Sequence, residues 1–172
     1  MLGHINLNVE ISDFYNLKYN KATIDEKYLK EYLDSGHSEE QMIIYNYFEP
    51  NPMPDCVYKI KENFSNLKPI SVAVNFLKPG QYLPLHKDLY KKWMSIHGVK
   101  DIHRVFRAIV MLEDSSPGQI LQIEQNLYTN WKAGDWFSWN GEECHAIYNL
   151  SLKNRFAVQV TGIRVDNNFK IC

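Results

Sequence analysis

From Pro69 to Gly162 the apolar residues recur with a period of two. The segment Ile70 to Leu77 (ISVAVNFL) sets the pattern, with β-branched residues at alternate positions, which predicts a strand. Pro79-Gly80 turns the chain into a second strand, Tyr82 to Asp88. Residues 89–103 break the alternation and read as an insertion, either a loop or a short helix. Arg104 to Glu113 (RVFRAIVMLE) predicts a central strand. Ser115-Ser116-Pro117-Gly118 then turns the chain into GQILQIEQN, so these two segments are expected to form a hairpin. Leu127 to Trp131 predicts a further short strand, and Asp135 to Trp139 another between the turns Ala133-Gly134 and Asn140-Gly141. His145 to Asn149 and Arg155 to Gly162 are expected to close the chain as a last hairpin.

The first third follows other rules. Ile5, Leu7, Val9 and Ile11 alternate weakly and predict one strand at a sheet edge. A helix is expected from Thr23, with Thr23 and Glu26 spaced as a capping box, Tyr28, Leu29, Tyr32 and Leu33 on one face, and Gly36 as its stop. Ser38 opens a second expected helix carrying Met42, Ile43, Tyr45 and Tyr47. Three prolines in Glu49 to Cys56 break the chain, and Val57 to Leu67 predicts a short amphipathic helix.

Many short strands with turns about every ten residues indicate a β-sandwich or barrel. The expected organisation is a single domain over 1–172, with a mostly helical layer at 1–68 packed on one face of a mainly β (α+β) core at 69–165. A chain of 172 residues suits one domain with a sizeable core. Aromatic residues make up 13 % of it, a share that suits sheets and a lined pocket.

Charge narrows the partners. With 19 basic and 20 acidic residues, the net charge of −1 gives no strong signal for nucleic acid or an anionic membrane. No apolar run approaches the roughly 20 residues that cross a bilayer, and the N-terminus carries no secretory pattern. Cys56, Cys144 and Cys172 are odd in number and lack CxxC spacing, so a reducing, cytoplasmic setting is expected.

The candidate chemistry centres on Pro79 to Asp88 (PGQYLPLHKD), which ends in a His-x-Asp pair. On an extended strand His86 and Asp88 project to the same face. A third ligand would complete a facial triad of two imidazoles and one carboxylate, and His145 is the candidate. Ten residues after His145 stands Arg155.

This order of HxD, distal His and following Arg resembles the Fe(II)/2-oxoglutarate-dependent dioxygenase superfamily, over Ser71 to Gly162. The resemblance implies a double-stranded β-helix, the jelly-roll or cupin-like barrel of those enzymes. It implies Fe(II) held by His86, Asp88 and His145, with 2-oxoglutarate and O2 as co-substrates and no catalytic residue beyond the metal ligands. Arg155 is the natural partner for the distal carboxylate of the 2-oxo acid. Along Arg155 to Thr161, Arg155, Ala157, Gln159 and Thr161 are expected to face the barrel interior, and Phe156, Val158 and Val160 the helical layer. The segment VNFLKPGQYLPLHKD is similar to the nucleic-acid demethylase branch, in which an Asn eleven residues before the metal His contacts 2-oxoglutarate; that position is Asn75 here. Tyr82 has the parity of His86 and is a further candidate for the distal carboxylate.

Departures from the family patterns bear on the branch. Ala157 replaces the Asn of the demethylase branch, which argues against base repair. The presence of Asp88 favours hydroxylation over halogenation. Trp139, close before His145, and Trp93, in the 89–103 insertion, are candidates for the substrate pocket. The expected substrate is a peptidyl side chain or a small molecule. The alternatives are a cupin-like metal enzyme that does not use 2-oxoglutarate and a non-catalytic jelly-roll binding protein.

Overall fold

A computed structural model describes residues 2–165 of the chain; Cys172 lies outside them. The elements in chain order are β1 Leu2–His4, α1 Ser12–Tyr15, β2 Asn20–Ala22, α2 Glu26–Asp34, β3 Ile44–Phe48, α3 Asp55–Asn63, β4 Leu67–Leu77, β5 Gln81–His86, α4 Lys91–His97, β6 Val105–Met111, β7 Gln119–Ile123, β8 Asn126–Tyr128, β9 Asp135–Asn140, β10 His145–Asn149 and β11 Arg155–Arg164. They build two antiparallel sheets facing one another. The larger has seven strands in the order β1-β9-β6-β11-β4-β3-β2, and the smaller has four, β5-β10-β7-β8. The chain is a jelly-roll barrel, mainly β.

The alternation of β11 is what holds the layers together. Ala157 points between the sheets, among Leu77, Ile109 and Met111 of the large sheet and Leu121 and Ile147 of the small one. Phe156, Val158 and Val160 point outward, against Val57, Ile60 and Phe64 of α3 and its end. Both faces of β11 are therefore largely buried. Val57 and Ile60 are fully buried, and each contributes about 1.5–3 kcal/mol by leaving water. The inward set expected for β11 is therefore the observed one.

Two local expectations are corrected. Residues 44–48 form β3, which pairs with β4 and extends the large sheet, not a helix begun at Ser38. Ile44 and Asn46 are buried while Tyr45 and Tyr47 are only partly so, a period of two that overrides the helical spacing of the aromatics. α2 is capped by Asp25, whose side chain accepts from the Lys27 N–H; the Thr23 hydroxyl instead donates to the Met42 carbonyl at 2.6 Å. Gly36 does end α2, in the left-handed region at φ 90°. α2 has no buried residue and is tied outside the small sheet, through the Tyr32 hydroxyl donating to the Leu85 carbonyl at 2.9 Å.

Neither expected hairpin forms. β6 lies in the large sheet and β7 in the small one, and likewise β11 and β10. The turns at 115–118 and 150–154 carry the chain from one sheet to the other. Gly118 sits at φ 94°, and a Cβ there would meet the Leu150 backbone at 2.8 Å, so the two crossovers pack backbone to backbone. Asn149 fixes the second crossover by donating from Nδ2 to the carbonyls of Leu77 at 2.9 Å and Lys153 at 2.8 Å. The edge strand expected over Ile5 to Ile11 does not form, since those residues carry no strand; the edge of the large sheet is instead β1, Leu2–His4, on β9. Among the described residues, no helix is long and apolar enough to cross a membrane, and Cys56 and Cys144 are free thiols.

Candidate metal centre

The small sheet brings the two histidines together. His145 begins β10 and is the direct cross-strand partner of His86 at the end of β5. Their rings lie 4.4 Å apart between centroids. Asp88 falls two residues beyond the end of β5, in an irregular stretch, and not on the strand as expected. It still reaches the pair: Oδ2 lies 3.4 Å from His145 Nε2, and Oδ1 lies 4.0 Å from His86 Nε2. One ligating atom from each of the three falls within 4.8 Å of the others, so the group could hold a metal ion.

Backbone carbonyls decide which imidazole nitrogen is available. His86 Nδ1 lies 2.7 Å from the Pro84 carbonyl, and His145 Nδ1 lies 3.3 Å from that of Glu143. A carbonyl can only accept, so Nδ1 carries the proton in each ring and Nε2 presents its lone pair toward Asp88. Such outer partners orient metal-binding histidines and set their tautomer. Burial pushes the His145 pKa down to about 4, against the pull of Asp88, so the ring is neutral near pH 7. Burial alone would raise the Asp88 carboxyl. The Arg107 guanidinium, then the two imidazoles, and the Tyr90 hydroxyl outweigh it and hold the group at about 2. A neutral His145 imidazole and an ionised Asp88 carboxylate at neutral pH are the protonation states a divalent cation requires of those two groups.

Arg107 was not anticipated. Its Nη1 donates to Asp88 Oδ2 at 2.7 Å and to Gln159 Oε1 at 3.1 Å. The Tyr90 ring covers its guanidinium at 4.6 Å. Tyr90 is buried and adopts φ 50° just before α4, a left-handed conformation that an aromatic residue rarely takes. The one visible signal for Arg107 was a lone charge inside the apolar run Val105 to Leu112.

Arg155 enters the space between the sheets at the start of β11. It is 3 % exposed. Nη2 contacts Met111 Sδ at 3.2 Å, and the guanidinium lies 5.5 Å from the Trp131 ring. Nε and Nη1 are buried without an acceptor among the described residues. Burial pushes its pKa down to about 9. Its cross-strand partner is Leu77, so it does not lie opposite His145 as a terminal hairpin would have placed it.

The remaining candidates separate. Asn75 is buried between the sheets and donates from Nδ2 to Asn46 Oδ1 at 2.6 Å. Tyr82 is turned away from the triad. The β5–β10 register shifts between the pairs Leu83–Ile147 and His86–His145, so one extra residue on β5 reverses the parity expected for Tyr82. Its hydroxyl bonds His37 Nδ1 at 2.7 Å and its ring stacks on Tyr148, outside the barrel. Trp139 packs on His145, with ring centroids 4.4 Å apart, and belongs to the inter-sheet core. Trp93 lines a cleft of about 930 Å³ that opens over His86 and Asp88, and its Nε1 donates to Ser71 Oγ at 3.0 Å. Arg107, Gln159, Thr161 and Asn46 line the same cleft.

No protein-family model and no curated protein matches the chain. Among solved structures, it is similar to a Pseudomonas putida prolyl-4-hydroxylase at a TM-score of 0.52 and 11 % identity, covering 91 % of this chain and 97 % of that one. A predicted oxalate decarboxylase from Thermotoga maritima aligns at a TM-score of 0.49 and 13 % identity, covering 91 % and 99 %. A cupin 2 conserved barrel domain protein from Salinispora arenicola aligns at 0.41 and 13 %, covering 69 % and 75 %. At such identities the likeness is one of fold, the jelly-roll barrel.

Proposed function

We propose that the protein is an Fe(II)- and 2-oxoglutarate-dependent oxygenase that hydroxylates a substrate held in the cleft beside His86 and Asp88. When bound, the iron with its co-substrates supplies an oxidative decarboxylation that converts 2-oxoglutarate, O2 and a C–H bond into succinate, CO2 and an alcohol. His86, Asp88 and His145 are the proposed ligands, with both imidazoles held in the Nε2-ligating tautomer by the carbonyls of Pro84 and Glu143. Asn75 is proposed as an additional contact for the 2-oxo acid, through Asn46. Trp93, which lines the cleft, is proposed to stand beside the substrate.

The observation that carries this reading is Arg155. A guanidinium buried between the sheets with two nitrogens lacking an acceptor among the described residues is costly unless an anion is bound there for part of the working cycle. The distal carboxylate of a 2-oxo diacid fits that need, whereas a metal enzyme without such a co-substrate has no use for it.

Anaerobic titration with Fe(II) and 2-oxoglutarate tests the reading through the weak visible charge-transfer absorption of the chelate. The expected result is a band in the wild type that vanishes in His145→Ala and needs far more 2-oxoglutarate in Arg155→Ala. Iron binding without a band would move the protein to the cupin-like metal enzymes that do not use 2-oxoglutarate. Absence of metal binding would make it a non-catalytic jelly-roll protein.

A further inference from the structure

The cleft over the triad has an unusual balance of charge. Its volume of about 930 Å³ falls in the range of small-molecule sites, roughly 300–1,000 Å³. Lys87, Lys91 and Lys92 stand along it, and none has an ion-pair partner among the described residues. The acidic residues of the same cleft are already engaged. Glu49 pairs with Lys61 at 2.6 Å and accepts the Val72 N–H at 3.2 Å. Asp25 caps α2, and Asp88 is held by Arg107. Arg107 commits Nη1 to Asp88 and Gln159, while its Nε is buried without an acceptor among the described residues. The chain as a whole carries 19 basic and 20 acidic residues, so this excess of positive charge is local. The walls add a second character: Phe48 and Ile96 line the cleft and are 43 % and 68 % exposed, beside Trp93.

We propose that the cleft takes a small molecule with an apolar body and an anionic head group, the body against Trp93, Ile96 and Phe48 and the head group toward Arg107 and the three lysines. This rests on the oxygenase reading only in naming that molecule the substrate. The anion site at Arg155 is separate, because Arg155 does not line the cleft. A carboxylate and a phosphate share the chemistry that the cleft recognises. An uncharged isostere of the same shape lacks it.

The test is a titration of the whole protein followed by NMR, reading the Trp93 indole N–H, which donates to Ser71 and is assigned with Trp93→Phe. The probes are phenylacetate, phenyl phosphate and the neutral phenylacetamide. Each is run with and without saturating Zn(II) and 2-oxoglutarate. The proposal expects at least one anion to shift the Trp93 signal saturably, with phenylacetamide about tenfold weaker or worse, the size of one unpaired charge interaction in a half-solvated site. Which anion binds tighter identifies the head group. The Lys91→Glu/Lys92→Glu double variant, whose two sites are exposed, is expected to weaken the anion by a similar factor and leave phenylacetamide unchanged. Equal binding of acid and amide would overturn the proposal. So would displacement of the acid by 2-oxoglutarate, or a Trp93 signal that neither anion moves. These readouts need no turnover. A failure here with an intact Fe(II)/2-oxoglutarate absorption band would refute the substrate class alone, and loss of the band would refute the oxygenase reading alone.

Discussion

Replacing Arg155 by methionine is expected to stabilise the ligand-free protein while abolishing its response to 2-oxoglutarate. Arg155 is 3 % exposed and faces no carboxylate among the described residues. Burial lowers its pKa from the ordinary arginine value to about 9, which corresponds to a cost on the order of 4–5 kcal/mol for keeping the charge at neutral pH. The favourable contact of its guanidinium with the Trp131 ring, 5.5 Å away, offsets up to about 2 kcal/mol of that. Methionine is unbranched and adaptable and fills much of the same volume beside Met111. The net expectation is a gain of about 1–3 kcal/mol, seen as a rise of roughly 2–10 °C in Tm for a domain of this size.

The wild type should behave in the opposite way when ligand is added. With the metal bound, 2-oxoglutarate at about 100 times Kd stabilises the folded state by about 2.7 kcal/mol, an increment the variant lacks. Thermal unfolding with Zn(II), with and without 2-oxoglutarate, gives both numbers. If Arg155→Met instead loses several kcal/mol without ligand, the arginine is a structural anchor of Met111 and Trp131. The argument that the fold bears a buried charge for the sake of an anion would then be refuted.

Arg107→Met leaves Asp88 without the cation that holds it ionised and oriented. Metal affinity should fall by about 10–100-fold, read from Co(II) absorption titrations, and the loss should be largest at low pH, where Asp88 then takes up a proton. His145 has a folded pKa of about 4, below its unfolded value. The unfolded chain therefore binds more protons between the two, and stability present near pH 7 is lost as pH falls through about 6 to 4. This contributes on the order of 3 kcal/mol; His145→Gln should flatten that part of the urea-unfolding profile of the metal-free protein, and an unchanged slope would contradict the assignment. Tyr82→Phe removes only an external hydrogen bond to His37, so the Fe(II)/2-oxoglutarate band should persist at wild-type ligand concentration, whereas a role at the co-substrate would shift it. Phe156→Ala empties a site packed against Phe76 at 4.8 Å and against Phe14; a loss of about 3–5 kcal/mol in chemical denaturation is expected.

What was legible in the sequence is what depends on local periodicity. The alternation along β4 and β11 announced itself because one face of each strand is apolar whatever its partner is. The inward set Arg155, Ala157, Gln159 and Thr161 could be read for the same reason. Partner choice could not. β6 and β7 are separated by a turn signal that would equally suit a hairpin, and only the packing of Gly118 against the Leu150 backbone, across a long stretch of chain, makes it a crossover between sheets. β3 was hidden because Met42, Ile43, Tyr45 and Tyr47 also satisfy a helical repeat, and the deciding contact, Asn46 with Asn75, is tertiary. Tyr82 was misplaced by a single residue: an irregularity in β5 has no composition of its own here, yet it turns every side chain before it to the other face.

The same crossovers explain why the candidate centre sits where it does. The two histidines come from neighbouring strands of the small sheet, so their spacing is set by the ladder that pairs His86 with His145. Asp88 lies beyond the strand, where no ladder holds it. Its position is set from the large sheet instead, by Arg107 on β6 and Gln159 on β11, with Tyr90 held over the guanidinium at a left-handed φ. The third proposed ligand is thus fixed by the sheet opposite the first two, and the facing of the two sheets becomes part of the coordination geometry. A change that alters the distance between the sheets near β6 should therefore disturb metal binding without touching a ligand, whereas a comparable change at the β10–β11 corner should act first on Arg155.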